Sequence, residues 1–69
     1  MGMPNATAAE LSSAAEAING YQRRVGGLVA AHANDDRDDL VAAIYEAERS
    51  LAMAERTLRR AIKLANRSG

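Results

Sequence analysis

The sequence predicts an all-α fold in which two helices pack antiparallel as a hairpin. Apolar residues recur at seven-residue spacing on both sides of one aspartate-rich segment. Alanine, the strongest helix former, is the commonest residue with sixteen copies, while Phe and Trp are absent. Because the chain has 69 residues, we expect one helical-hairpin domain over residues 1–69.

The first helix is expected over residues 8–32, after a disordered N-terminus over residues 1–6. Pro4 and Asn5 interrupt regular structure before this point, and Thr7 is followed three residues later by Glu10. A Thr with a Glu at this spacing forms a capping box, in which each side chain bonds the other residue's backbone amide. We therefore predict Thr7 as the N-cap of the first helix.

The segment "HANDDRDD" is expected to reverse the chain. Asn and Asp side chains bond nearby backbone amides, which favours turns and helix N-termini over helix interiors. We place the turn at residues 33–36 and the second helix at residues 37–66, since helix-forming residues then continue to "RSG".

Two stripes of residues on each helix predict how the helices meet. The first, the central stripe, consists of residues seven apart: Leu11, Ile18, Val25, His32, Ile44, Leu51, Leu58 and Ala65. The second, the alanine stripe, consists of residues three positions after or four before these: Ala14, Tyr21, Leu28, Leu40, Ala47, Ala54 and Ala61. This spacing is the heptad pattern of a coiled coil, so we predict a coiled-coil-like, alanine-rich seam between the helices.

Folding the chain at Asp36 sets the predicted register. If the two heptad patterns pair antiparallel about this turn, the numbers of facing residues sum to about 72. Ile18 would face Ala54 and Val25 would face Ala47, so that large side chains fill the space left by alanines.

Three glycines interrupt helix 1 and allow two interpretations. Gly20, Gly26 and Gly27 each cost about 1 kcal/mol relative to Ala in a helix interior. One interpretation is a tolerated weakness with a kink near Gly26. The other is a face of small residues against which another helix packs, formed by Ser13, Ala17, Gly20, Gly27 and Ala31.

A hairpin of this size is expected to assemble, because chains below about 70 residues rarely bury enough apolar surface alone. We expect a homodimeric four-helix bundle, or alternatively a complex with another helical protein. The function predicted is a small, non-enzymatic protein–protein interaction or adaptor module. Apolar residues outside the predicted seam form the expected partner surface: Tyr45, Val41, Met53, Ile62 and Leu64.

The basic C-terminal part of helix 2 suggests an alternative function as a nucleic-acid-associated regulator. The residues that would contact nucleic acid are Arg56, Arg59, Arg60, Lys63 and Arg67. No aromatic residue lies among them and the whole chain is neutral, which favours a solvated face instead. Basic residues near the C-terminus of a helix also interact favourably with the helix macrodipole.

No catalytic, cofactor-binding or metal site is predicted. Asn34, Asp36 and Asp38 have calcium-loop spacing, but Asp39 and Tyr45 stand where that loop requires Gly and Glu. Cysteine is absent, and no nucleophile is placed to act with His32, whose expected role is at the helix C-terminus. We therefore expect no enzyme activity.

Charge and hydropathy favour a cytoplasmic protein that does not span a membrane. Nine basic residues balance nine acidic ones, and no apolar run approaches the length of a membrane span. The start lacks the basic and apolar regions of a secretory signal. Eight arginines against one lysine are typical of a GC-rich bacterial genome. The two-helix layout is similar to that of small hairpins exported by mycobacterial-type systems, but their Trp-x-Gly turn is absent, and we assign no family.

Overall fold

A computed structural model describes residues 5–32 and 38–67 and shows two α-helices packed against each other. Helix α1 spans Ala6–Ala31 and helix α2 spans Asp38–Arg67. The molecule is a narrow rod with extents of 58 × 14 × 10 Å. The predicted all-helical hairpin is thus confirmed. The predicted turn at residues 33–36 lies outside the described residues.

The prediction of Thr7 as the N-cap of α1 is wrong, because Asn5 takes this role. The Asn5 side-chain oxygen accepts a hydrogen bond from the Ala8 amide at 3.1 Å. Its side-chain nitrogen donates to the Ala65 carbonyl at 2.7 Å, across the hairpin. Asn5 therefore caps one helix and bonds the end of the other, whereas Thr7 lies within α1. Of the expected disordered segment, Asn5 and Ala6 are ordered as cap and first helical residue.

Helix α1 is capped at its C-terminus by His32, and α2 begins among acidic residues. The His32 amide donates to the Leu28 and Val29 carbonyls at 3.1 and 3.2 Å, which closes the last turn. Asp38 and Asp39 lie in the first turn of α2, and Arg67 lies in its last turn. This distribution of charge stabilises the α2 macrodipole at both ends.

Hydrogen bonds between the helices define an antiparallel register. Asn5 bonds Ala65, and the Asn19 side-chain nitrogen donates to Glu55 Oε2 at 3.4 Å. The residue numbers of the two pairs sum to 70 and 74, on either side of the predicted value. We call the end formed by Ala6 and Arg67 the terminal end, and the end where α1 stops and α2 starts the connecting end.

The central stripe lies between the helices, as predicted. All eight of its residues are half-buried. Burial is limited because two helices cover only one side of each other. Among the described residues, only Ala8 and Ala15 are buried, with Ala15 1% exposed.

The second stripe of the seam was predicted wrongly for most of its length, because five of the seven residues of the alanine stripe are exposed and only Leu40 and Ala61 are half-buried. The seam contains residues four positions after or three before those of the central stripe. This inner stripe consists of Ala8, Ala15, Gln22, Val29, Val41, Glu48, Glu55 and Ile62. Residues three and four positions along a helix lie on opposite sides of the starting residue, at about −60° and +40°. The predicted facing pairs with Ala47 and Ala54 are therefore not buried, since both alanines are exposed.

The seam differs from the prediction because it accepts polar residues with long stems. Near the terminal end, Ile62 of the inner stripe supplies more apolar volume than its neighbour Ala61 of the alanine stripe would. Gln22, Glu48 and Glu55 occupy the middle, where each side chain can bury its methylenes and extend its polar group to the rim. The sequence pattern favoured the alanine stripe because these polar residues interrupt the apolar spacing of the inner stripe.

Gly26 is the one of the three glycines of α1 that lies against α2. A Cβ atom at Gly26 would lie 2.9 Å from Glu48 Oε2, whereas one at Gly20 or Gly27 would meet nothing within 4 Å. The α1 helix continues through all three glycines without interruption. Gly26 thus leaves room for the Glu48 carboxylate.

Candidate interaction surfaces

The alanine stripe, displaced from the seam, forms one open side of the hairpin. We call this surface the open flank: Ala14, Tyr21, Leu28, Leu40, Ala47, Ala54 and Ala61. In an antiparallel helix pair the corresponding outer positions of both helices lie on the same side of the seam. Tyr21 is 52% exposed and Leu28 is 49% exposed. Leu40 and Ala61 are half-buried and the other five members are exposed, and none of the seven carries a charge.

A shallow groove runs along the α1 part of the open flank. Tyr21, Val25 and Leu28 line a depression of about 300 Å³ together with Arg24. The Arg24 guanidinium carbon lies 5.6 Å from the centre of the Tyr21 ring, a cation–π distance. Arg24 thus borders the groove with a charge while the groove itself stays apolar.

The opposite side of the seam is polar. Glu55 Oε2 accepts hydrogen bonds from Arg59 Nη2 at 2.9 Å and Arg59 Nε at 3.2 Å, in addition to the longer bond from Asn19. The Glu55 side chain is 17% exposed and that of Arg59 is 57% exposed. Glu48 lies beside Gly26 on the same side. The hairpin is thus apolar on one flank and charged on the other.

The five residues predicted as the partner surface do not share one face. Val41 and Ile62 belong to the half-buried inner stripe. Tyr45 is 52% exposed and lies on the polar side, beside Gln22, Glu48 and Arg49. Met53 and Leu64 are 59% and 55% exposed. Their spacing places both on the outer side of α2, away from α1. Partner binding by this set of five stays a prediction.

The basic residues of α2 face outward. Arg56, Arg60, Lys63 and Arg67 are exposed, and Arg59 is bonded to Glu55. They lie on the polar and outer sides of the helix, so partner packing on the open flank would leave them accessible.

Neither a metal site nor a membrane-spanning helix is found among the residues that the structure describes. Residues 5–32 and 38–67 include no group of three side chains placed to hold a metal ion. Asn34 and Asp36 of the calcium-like segment lie outside the part of the chain that the structure describes. Neither α1 nor α2 contains an apolar stretch long enough to cross a membrane.

Tyr21 and Leu28 are the residues whose role the sequence interpretation missed. Both were placed in the core, but both are half-exposed on the open flank. The sequence does contain a signal for this. Both the alanine stripe and the inner stripe lie beside the central stripe, and a seam between two helices buries only one of them.

Comparison of the chain with models of protein families, with curated proteins and with solved structures finds no match.

Proposed function

We propose that this protein is a small, non-enzymatic interaction module that binds by helix packing through its open flank. The partner is a second copy of the chain, and the product is a homodimeric four-helix bundle. The observation that carries this proposal is the open flank itself, an apolar surface on both helices of which the hairpin leaves five of seven residues exposed.

The total surface of the chain supports assembly. A compact protein of 7.3 kDa exposes about 4,200 Å². This chain exposes 5349 Å², an excess of about 1,200 Å² over that value. A stable protein–protein interface buries about 800 Å² on each partner. Covering the open flank with a second hairpin would therefore remove about two thirds of this excess from each copy.

The asymmetry of the two flanks supports a single interface. In a four-helix bundle each helix packs against two neighbours. In this chain the alanine stripe would then be buried beside the central stripe. The other side carries Glu55, Arg59 and Glu48, and charged residues are depleted from the cores of interfaces. A dimer through the open flank leaves those charges in water.

A matched pair of tyrosine substitutions tests the proposal. Tyr21 lies on the open flank and Tyr45 on the polar flank, and both are 52% exposed. A buried tyrosine contributes about 200 Å², so dimerisation would cover about 100 Å² more of each Tyr21. At about 25 cal/mol per Å² this is about 2.5 kcal/mol per copy. For two copies, Tyr21→Ala is expected to weaken dimerisation on the order of 1,000-fold.

Light scattering over a dilution series provides the measurement. The wild type and Tyr45→Ala are expected at twice the 7.3 kDa chain mass where Tyr21→Ala is monomeric. The opposite result, loss of the dimer in Tyr45→Ala only, would support the partner surface predicted from the sequence. Circular dichroism of both variants checks that each remains helical.

A further inference from the structure

We propose that the second copy packs on the open flank with its connecting end beside the terminal end of the first copy. The two chain reversals then lie at opposite ends of the four-helix bundle. This inference rests on the proposed dimer and adds its arrangement, which the dimer alone does not determine. Two gradients along the rod carry it.

The first gradient is the size of the side chains on the open flank. The connecting half carries the three large residues, Tyr21, Leu28 and Leu40, together with Ala47. The terminal half carries only alanines of this stripe: Ala14, Ala54 and Ala61. The flank is therefore bulky towards the connecting end and flat towards the terminal end.

The gradient decides between the two ways of stacking antiparallel hairpins. With both connecting ends together, Tyr21, Leu28 and Leu40 of each copy would meet the same large residues. The alanines would then face alanines across a space that no side chain fills, which loses packing contacts. With the connecting ends apart, the large residues of each copy lie over the alanines of the other. Side chains of complementary size then fill the interface at native density.

The second gradient is charge. In α2 the terminal half is basic, with Arg56, Arg59, Arg60, Lys63 and Arg67 against the single acid Glu55. The connecting half is acidic, with Asp38, Asp39, Glu46 and Glu48 against the single base Arg49. Helix α1 carries fewer charges in the reverse order, Glu10 and Glu16 and then Arg23 and Arg24. The rod is therefore positive at its terminal end and negative at its connecting end.

Charge and size favour the same arrangement. Connecting ends together would place two positive ends side by side and two negative ends side by side. Connecting ends apart place each positive end beside a negative one, and such complementarity fixes the orientation of an interface. Because many of these charges are exposed, salt screens this contribution, whereas the size gradient is unaffected.

Spin labels on single cysteines distinguish the arrangements, since the chain has no cysteine of its own. Met53 is exposed and near the middle of α2, so Met53→Cys reports the dimer in either arrangement. Its label pair is expected within about 30 Å in both arrangements, since neighbouring helices lie about 10 Å apart. Asn66 is exposed near the terminal end. It lies about 20 Å from the middle of α2, so in the proposed arrangement its two copies are about 40 Å apart along the rod.

A mixed dimer gives the reciprocal measurement. Ala31, the last residue of α1, is exposed at the connecting end. With a donor on Asn66→Cys in one copy and an acceptor on Ala31→Cys in the other, the proposed arrangement predicts strong energy transfer. The same two positions lie about 40 Å apart along the rod if the connecting ends are together.

The outcomes separate the arrangement from the dimer. A long Asn66 distance with strong transfer in the mixed dimer supports the proposal. A short Asn66 distance with weak transfer overturns the arrangement and leaves the dimer intact. Absence of any dipolar coupling at Met53 overturns the dimer and the arrangement together.

Discussion

Replacing single glycines of α1 by alanine is expected to reveal which side of the helix faces α2. At Gly27 a new Cβ atom meets nothing within 4 Å. Gly27→Ala should therefore give the full gain in helix propensity, about 1 kcal/mol in the free energy of unfolding. For a chain of this size the gain corresponds to a rise in melting temperature of about 4–8 °C.

At the neighbouring Gly26 the same substitution is expected to change the free energy of unfolding little. The new Cβ atom would lie 2.9 Å from Glu48 Oε2 and 3.6 Å from Glu48 Cδ. The carboxylate is the flexible end of a long side chain, so it moves aside rather than displacing the helix. Holding that side chain away from its preferred rotamer costs about 0.5–1.5 kcal/mol, which offsets the gain in propensity.

A double-mutant cycle with Glu48→Ala isolates this contact. Once Glu48 is truncated, Gly26→Ala should stabilise the protein as much as Gly27→Ala does, which gives a coupling of about 1 kcal/mol. The assay is thermal and urea unfolding followed by circular dichroism at one fixed chain concentration, because dimerisation makes stability depend on concentration. Equal stabilisation by Gly26→Ala and Gly27→Ala with Glu48 present would refute the placement of Gly26 against α2.

Further substitutions test other parts of the structure. Asn5→Ala should lower the free energy of unfolding by about 1 kcal/mol because it removes the N-cap, while Thr7→Ala should change it little. Chemical denaturation measures both values, and a larger loss for Thr7→Ala than for Asn5→Ala would identify Thr7 as the cap. Glu55→Gln should destabilise by less than about 1 kcal/mol because Arg59 is largely exposed, and a loss that persists unchanged in high salt would contradict an ionic contribution. Arg56→Glu combined with Arg60→Glu should leave the solution mass unchanged in high salt, where the charge gradient is screened, because both residues face away from the open flank. Tight nucleic-acid binding by the wild type that falls steeply with salt and is lost in this variant would favour the alternative function.

The sequence predicted the hairpin because two independent signals agree. Seven-residue spacing places Leu11, Ile18 and Val25 on one line of α1 and Ile44, Leu51 and Leu58 on one line of α2. The aspartate-rich segment between them then requires the chain to reverse. Both signals depend on local backbone preference and on which residues avoid water, and neither depends on how the helices are rotated.

The rotation of the helices could not be predicted from spacing. Ala14 and Ala15 lie on opposite sides of Leu11, and both are good helix formers with equal apolar content. The seam selects Ala15, with Gln22 and Glu55 further along the same inner stripe, because long polar side chains reach solvent from a seam that is open at its edges. The spacing rule counts these residues as polar and rejects them. The difference is a rotation of about 50° per helix, which moves Tyr21 from the core to the surface.

The N-cap was missed for a related reason. Thr7 and Glu10 form a local pattern, whereas Asn5 donates a second hydrogen bond to the carbonyl of Ala65, sixty residues away in the chain. A contact at that separation exists only after the helices have been aligned.

The mass of the wild-type protein in solution tests most directly whether the open flank is an interface. Light scattering across a range of chain concentrations is expected to show twice the 7.3 kDa chain mass, dissociating on dilution. A mass of 7.3 kDa at every concentration would contradict the central claim, because the open flank would then be exposed to water in the native state.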